Sequence, residues 1–361
     1  MITIVMGGLF GSEGKGSVVS VLAGRFQWDL VIRTGSPNAG HTFKKPDGSL
    51  VKMRQLPTTW YYAKHTPVCI PAGAVVSKEV LLAEAHMLRA GGFDAPIYVS
   101  PFAAVIDRGA MEQEKMITTG TTREGVGATR ARKCLRQATV VRDDPDFCPG
   151  HELGQLVDVG TPWADIHNRN KDILIEATQG FGLSLDGGNY PFVTSTNLTV
   201  YHILDDAGIP FGVHHIRPIL VVRTFPIRIA GNSGPLANEI TWGELRKRYG
   251  EHIPDEQTTV TKKTRRVGEW DAGLVREAIA ATKPVEVVLT FVDYVFPDIK
   301  EAGISDEVDS WLKEMESSVG RRFDYLGIGI GELMERNGRQ ILTPTGVLGM
   351  ASKVIVTGIV D

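Results

Sequence analysis

The sequence predicts an α/β fold with a mostly parallel central sheet, flanking helices and long functional loops. Two observations predict it. Strand-like apolar runs alternate with helical patterns from the first residues onward, the order expected when crossover helices connect parallel strands. The first unit also reads as strand, glycine-rich loop and helix. Residues 2–6 are apolar, Gly7-Gly8-Leu9-Phe10-Gly11-Ser12-Glu13-Gly14-Lys15-Gly16-Ser17 follows, and residues 18–23 read as a buried helix. Glycine lacks a Cβ, so such a loop brings backbone N–H groups close to phosphate oxygens, and the helix aims its positive end at the same place. Lys15 adds a point charge. The spacing is not that of a standard P-loop, because Leu9 holds the first glycine position and Gly16 follows Lys15. A tight turn with an exposed lysine is the plainer alternative.

The remaining elements follow in order. Leu30-Val31-Ile32 is a second short strand. Ser77 caps a helix carrying Val80, Leu81, Leu82, Ala85 and Leu88, which Gly91-Gly92 ends. Residues 97–99 and 103–106 are further strand candidates. Ile173-Leu174-Ile175, residues 219–222 and residues 285–289 read as buried strands. Thr241-Trp242-Gly243-Glu244 is a capping-box signature. Residues 271–281 and 305–316 read as helices. There is no repeat, low-complexity tract or clear linker, so residues 1–361 are expected to form a single domain.

Composition bounds the function. The chain has 361 residues and a net charge of −3, from 39 basic and 42 acidic residues. That balance gives no footprint for a nucleic-acid polymer, while small anionic substrates need only a local positive pocket. Three cysteines without metal-type spacing suit a reducing compartment. No signal peptide and no long apolar run are evident, so a cytoplasmic protein without a membrane span is expected.

Five further stretches carry chemistry. Gly35-Ser36-Pro37-Asn38-Ala39-Gly40-His41-Thr42 follows the second strand, on the carboxyl edge where open α/β sheets bind ligands. There His41 could donate to an oxyanion, or make only a structural hydrogen bond. Gly120-Thr121-Thr122-Arg123-Glu124-Gly125-Val126-Gly127 suits phosphate and leads to Arg130, Arg132, Lys133 and Arg136; a solvated basic face is the alternative. Glu176-Ala177-Thr178-Gln179-Gly180 and Thr194-Ser195-Thr196-Asn197 supply polar groups at strand ends, where ordinary turns also use them. Thr259-Val260-Thr261-Lys262-Lys263-Thr264-Arg265-Arg266-Val267-Gly268 sets four cations among hydroxyls, which suits a carboxylate or phosphate or an exposed basic loop.

Together and in this order, these motifs resemble the adenylosuccinate synthetase family. The resemblance also takes in Tyr190-Pro191-Phe192-Val193-Thr194-Ser195 and covers most of the chain. It implies a P-loop-related fold and a two-step ligase. A nucleoside triphosphate phosphorylates the O6 of a 6-oxopurine nucleotide, and the amine of L-aspartate then displaces that phosphate. By matched position, Ser12, Glu13, Gly14, Lys15, Gly16, Gly40, His41 and Thr42 would serve the donor nucleotide, with Phe291 and Asp293 at its base. Ser12, Asn38, Thr121, Thr122, Gln179 and Thr194 would bind the purine nucleotide, joined by Arg136 of a neighbouring copy in a homodimer. Thr259, Val260, Thr261, Lys263 and Arg265 would hold aspartate. Ser12 and the Gly40 carbonyl would ligate Mg²⁺, and Ser12 and His41 would be the catalytic pair.

Three departures shift the substrate. The family's usual pattern has Asp where this chain has Ser12, and a hydroxyl is too weak an acid to be a resting base. A shorter serine leaves room for a 2-amino group and can accept its hydrogen bond. This is the substitution of phage relatives that convert dGMP and aspartate to N6-succino-2-amino-2'-deoxyadenylate for diaminopurine nucleotides. The family's Thr-Lys-Leu-Asp is Thr290-Phe291-Val292-Asp293 here, and its C-terminal Ser-Thr-Gly-Pro-Asp-Arg element is poorly matched at Leu326-Gly327-Ile328-Gly329. Both favour ATP or dATP over GTP. Lys263 and Thr264 stand where the common pattern has arginines. The expected activity is therefore an ATP- or dATP-driven ligation of dGMP and L-aspartate. The alternatives are an ordinary enzyme using IMP and GTP, an inactive nucleotide-binding regulator, and a small-molecule kinase.

Overall fold

The computed structural model describes residues 1–117, 119–210, 212–258 and 262–349. Its centre is a sheet of twelve strands. In chain order these are β1 (Ile2–Gly7), β2 (Leu30–Arg33), β3 (Val68–Ile70), β4 (Ile97–Val99), β5 (Asp158–Val159), β6 (Ile173–Glu176), β7 (Ile216–Arg223), β8 (Glu286–Thr290), β9 (Tyr325–Gly329), β10 (Glu332–Glu335), β11 (Gln340–Thr343) and β12 (Gly346–Gly349). Their spatial order is β12-β11-β10-β9-β8-β7-β1-β6-β2-β3-β4-β5. From β5 across to β9 every pairing is parallel; β9 to β12 run antiparallel and extend one edge.

The mostly parallel sheet predicted from the alternation is present, and its strands read as apolar runs because both faces are covered. On one face Val5, Val31, Leu174 and Val221 join a cluster with Trp60 and Leu81; on the other Ile4, Ile32, Ile175 and Val222 join Val275 and Leu312. A third cluster, with Phe225, Trp242 and Val267, lies beside the sheet. β1 is central, and the chain leaves it toward β2 on one side and reaches β7 on the other. That reversal opens a crevice at the strands' carboxyl ends.

The cap expected at Ser77, on Lys78–Ala90, and the capping box expected at Thr241 are present, and Asp271 and Ser305 cap the helices expected to begin there, Ala272–Thr282 and Asp306–Val319. Thr241 and Glu244 complete a capping box, with the Glu244 N–H on Thr241 Oγ1 at 3.1 Å and the Thr241 N–H on Glu244 Oε2 at 2.8 Å.

One reading changes. The strand expected over 103–106 is only Ala104–Val105, and it pairs with Val75–Val76 outside the main sheet. Residues 326–329, the poor match to the family's C-terminal element, form most of β9, where Gly327 lies against Thr290. β3 and the antiparallel edge were not anticipated, since three-residue and glycine-rich strands carry little periodicity. Among the described residues no helix is long and apolar enough to cross a membrane.

Candidate active site

The loop after β1 is held from within. Glu13 is fully buried, and its Oε1 accepts the N–H groups of Leu9 (3.1 Å) and Gly11 (2.8 Å). Its Oε2 pairs with Lys15 Nζ at 2.7 Å, and Lys15 also donates to the Gln179 carbonyl at 2.5 Å. Glu13, expected at the donor nucleotide, thus spends its carboxylate on the loop and its lysine. Gly14, at φ 83°, caps the helix Lys15–Arg25, where L side chains are strained. Gly16 packs against the strand His41–Lys44, and a Cβ there would stand 2.9 Å from the Thr42 carbonyl oxygen. The two motifs therefore touch through a glycine.

His41 sits in a buried ionic group. β6 ends in Glu176, which is fully buried, and β2 ends in Arg33, 2% exposed. Glu176 Oε1 meets His41 Nδ1 at 2.5 Å and Arg33 Nη1 at 2.6 Å, while Oε2 accepts the Thr58 N–H at 2.8 Å. Arg33 Nη1 also lies 3.0 Å from His41 Nδ1. A guanidinium only donates and a carboxylate only accepts, so the shorter contact fixes the proton on Nδ1. Nε2 is left to meet a ligand. Burial first, then the Arg33 charge, pushes His41 down to about 4; burial would raise Glu176, but Arg33 and His41 outweigh it and hold the carboxyl at about 2. Arg33 Nη2 donates to the Ala39 carbonyl and Arg54 Nε to that of Pro37, so two arginines hold the Asn38–Gly40 turn. Arg54 also pairs with Glu124 and ties this turn to the 120s loop.

A cleft of about 810 Å³ brings the motifs together. Ser12, Lys15, Asn38, Gly40, His41, Thr121, Thr122, Gln179, Thr194, Lys263 and Arg265 all line it. Gly14, Gly16, Thr42, Phe291 and Asp293 do not, nor does Arg136, which is exposed just past the helix Val126–Cys134. Thr259, Val260 and Thr261 lie outside the described residues. Ser12 is at φ 60°, and its hydroxyl has no partner among the described residues. Phe291, also left-handed, has the Arg223 guanidinium 3.9 Å from its ring centre, so one face is already covered. Burial pushes the nearby Asp293 carboxyl up to about 6.

Sequence reasoning missed Arg33 and Arg223 and gave Glu176 no role of its own; each is a charge closing a buried strand. It also missed Glu114, 3% exposed, which lines the cleft and accepts the N–H groups of Gly125 (2.9 Å) and Gly127 (2.5 Å). Arg228, 2% exposed, lies 4.0 Å from the Phe10 ring centre.

A protein-family model described as adenylosuccinate synthetase matches residues 4–146 and 151–310. The adenylosuccinate synthetase of Archaeoglobus fulgidus is 33% identical over 301 residues, spanning 81% of this chain and 83% of the relative. The N6-succino-2-amino-2'-deoxyadenylate synthase of Vibrio phage phiVC8 is also 33% identical, over 299 residues, spanning 80% and 84%. Among solved structures, the succinoaminodeoxyadenylate synthetase of cyanophage S-2L, bound to dGMP and dATP as an energy donor, superposes with a TM-score of 0.78. It is 26% identical, with 97% of this chain and 95% of that one covered. The Plasmodium falciparum adenylosuccinate synthetase gives the same TM-score at 17% identity and shows the shared fold. The chain belongs to the adenylosuccinate synthetase family, ligases that form a C–N bond in purine nucleotide synthesis.

Proposed function

We propose that this ligase condenses dGMP with L-aspartate, using ATP or dATP, to give N6-succino-2-amino-2'-deoxyadenylate. The observation that carries this reading is Ser12, on the cleft wall with a hydroxyl that has no partner among the described residues, where the family's usual pattern has a carboxylate. A guanine presents its 2-amino group beside N1, and a hydroxyl both clears that amine and accepts from it. The phage relatives, 33% and 26% identical, support the same reading. IMP with GTP is the second reading, favoured by the equal 33% identity of the Archaeoglobus enzyme.

In the first step the purine O6 attacks the γ-phosphorus, the nucleoside diphosphate leaves and N1 loses its proton. In the second the amine of aspartate attacks C6, the C6–O bond breaks, phosphate leaves and the amine gives up a proton. His41 serves the transferring phosphoryl group. Glu176 holds its Nδ1 proton, and the negative charge of bound phosphates favours protonating Nε2, which then donates to the developing oxyanion. Lys15 shifts from Glu13 and the Gln179 carbonyl toward the donor phosphates. Thr121, Thr122, Asn38 and Thr194 take the 5′-phosphate, and Arg136, exposed and not lining its own cleft, serves a second copy in a homodimer. Lys263 and Arg265 take the carboxylates of aspartate.

Ser12 and the Gly40 carbonyl would hold Mg²⁺. Both line the cleft, and no group of three metal-ligating side chains occurs among the described residues. Two neutral oxygens fit a cation that keeps waters and takes its other ligands from phosphates. Bound there, Mg²⁺ would neutralise charge on the transferring group.

Phosphate release is measured with dGMP or IMP, ATP, dATP or GTP, Mg²⁺ and aspartate. Turnover on dGMP is expected. Ser12→Asp should lower kcat/KM for dGMP by roughly tenfold or more, since it replaces an accepting gap with a crowding carboxylate. Turnover on IMP with silence on dGMP would reject the reading.

A further inference from the structure

Residue 12 is fixed by groups that the motif reading did not reach. β7 and β8 are neighbours in register, with Arg223 opposite Thr290 as the last residue of each. Thr290 Oγ1 donates to the Glu13 carbonyl at 2.7 Å, and Arg223 Nη1 donates to the Ser12 carbonyl at 2.9 Å. Two consecutive carbonyls of the nucleotide loop are thus tied to the carboxyl edge of the sheet. Ser12 is held in the left-handed region, which an L residue keeps only when its surroundings fix it.

Arg223 has no exposure. Its guanidinium lies over the Phe291 ring. Both Nη atoms also reach the Glu256 carboxylate, Nη1 to Oε2 at 3.2 Å and Nη2 to Oε1, while Nε has no partner among the described residues. Tyr294 donates to the same carboxylate at 3.2 Å, and the Glu256 carbonyl accepts the Arg265 N–H at 2.8 Å. Glu256 is the root of the cationic loop. One buried guanidinium therefore joins the backbone of residue 12, the Phe291 platform and the base of the loop that carries Lys263 and Arg265.

We propose that Arg223 is a positioning residue for purine selection, acting through the Ser12 carbonyl and the Glu256 anchor. It touches no reacting atom. It sets where the side chain of residue 12 stands relative to the substrate base, and so how sharply a purine with a 2-amino group is told from one without. The direction of that preference, for dGMP, rests on the function proposed above; the dependence of the selectivity on Arg223 does not.

The test is the ratio of kcat/KM for dGMP to that for IMP, with a melting temperature for each protein. Arg223→Lys keeps the charge but reaches fewer acceptors, and Arg223→Met keeps the stem and donates nothing. Arg336→Met is the control: Arg336 is buried and paired with Glu316 and Asp309, which do not line the cleft. Loss of stability alone scales both substrates alike. Arg223→Met should move the ratio toward unity by roughly tenfold, the scale of one charge-assisted hydrogen bond, with Arg223→Lys between it and the wild type. Arg336→Met should leave the ratio unchanged. If Arg223→Met does not fold, Arg223→Lys decides alone. A ratio unchanged in the folded Arg223 variants would overturn the proposal. A wild type that prefers IMP would overturn the substrate reading and leave this test standing.

Discussion

Replacing Glu176 by Gln separates the role of His41 from its location. The carboxylate is fully buried and meets His41 Nδ1 (2.5 Å), Arg33 Nη1 (2.6 Å) and the Thr58 N–H (2.8 Å). Glutamine keeps the volume but brings an NH₂ into a group whose other members are all donors. Arg33 then becomes a buried charge without its counter-ion, a change that costs about 3–5 kcal/mol. Against a domain stability of about 5–15 kcal/mol the protein stays folded but melts earlier. Catalysis should lose more than stability. With Glu176 neutral, nothing opposes the Arg33 charge beside the imidazole, and the Nδ1 proton is no longer pinned. The bracket for kcat runs from about 10-fold, the lower end for one charge-assisted hydrogen bond, to about 10⁴-fold, the loss when a triad carboxylate becomes an amide. Phosphate release under saturating substrates, followed from pH 5 to 9 at a temperature below the melting transition, reads both effects. A kcat within about threefold of the wild type with the same pH profile would refute the role given to His41.

The remaining predictions concern pH, metal and a cap. His41 is depressed from 6.5 to about 4, so its neutral burial stabilises the fold fully above pH 6.5, and that contribution is lost as pH falls through 4. Glu176 is depressed from 4.5 to about 2, so its contribution holds above pH 4.5 and is lost as pH falls through 2. Urea midpoints should therefore drop between pH 6.5 and 4 by an amount equivalent to about 3 kcal/mol, and His41→Asn should flatten that limb. A limb unchanged by His41→Asn would show that other groups cause it. Chelation with EDTA should stop phosphate release and added Mg²⁺ should restore it; continued turnover in EDTA would remove Mg²⁺ from the mechanism. Thr241→Ala breaks the capping box and should cost about 1 kcal/mol in denaturant unfolding with kcat unchanged.

The sequence made the fold legible where one signal dominates. Continuous apolar runs locate β1, β2, β6, β7 and β8, and caps locate Lys78–Ala90 and Trp242–Tyr249, because burial and local hydrogen bonding act there without competition. Arg108–Lys115, Val126–Cys134 and Val200–Ala207 were not anticipated. The antiparallel edge was not legible. Tyr325–Gly329 owes its place to pairing with its neighbours rather than to its own pattern. Within the site, the loops were legible from glycine and hydroxyl content, but the charges that hold them were not. Arg33, Glu176 and Arg223 each follow a predicted apolar run by one residue; the motif reading stops before Arg33 and Arg223 and takes Glu176 only as part of a polar strand end. A charged side chain closing a central strand was the available signal. On a sheet covered on both faces such a group is buried, so it must be paired, and the carboxyl edge is where pairing with a ligand loop is possible.

Under the substrate reading proposed above, that arrangement lets the change of substrate be confined to residue 12. Glu13, its neighbour, accepts two backbone N–H groups and pairs with Lys15, so removing its carboxylate would leave two buried N–H groups unmet and Lys15 a buried cation without its counter-ion. Glu176 and Arg223 are bound as tightly. Ser12 is half-buried, its carbonyl is held by Arg223 and its hydroxyl has no partner among the described residues. The backbone of residue 12 is thus fixed by the scaffold while its side chain is committed to nothing but the cleft. Exchanging a carboxylate for a hydroxyl there alters the space and charge offered to the purine edge without withdrawing an interaction on which the loop depends. A chain 33% identical to both an archaeal and a phage relative could then take its substrate from this one position, which the Ser12→Asp comparison on dGMP and IMP decides.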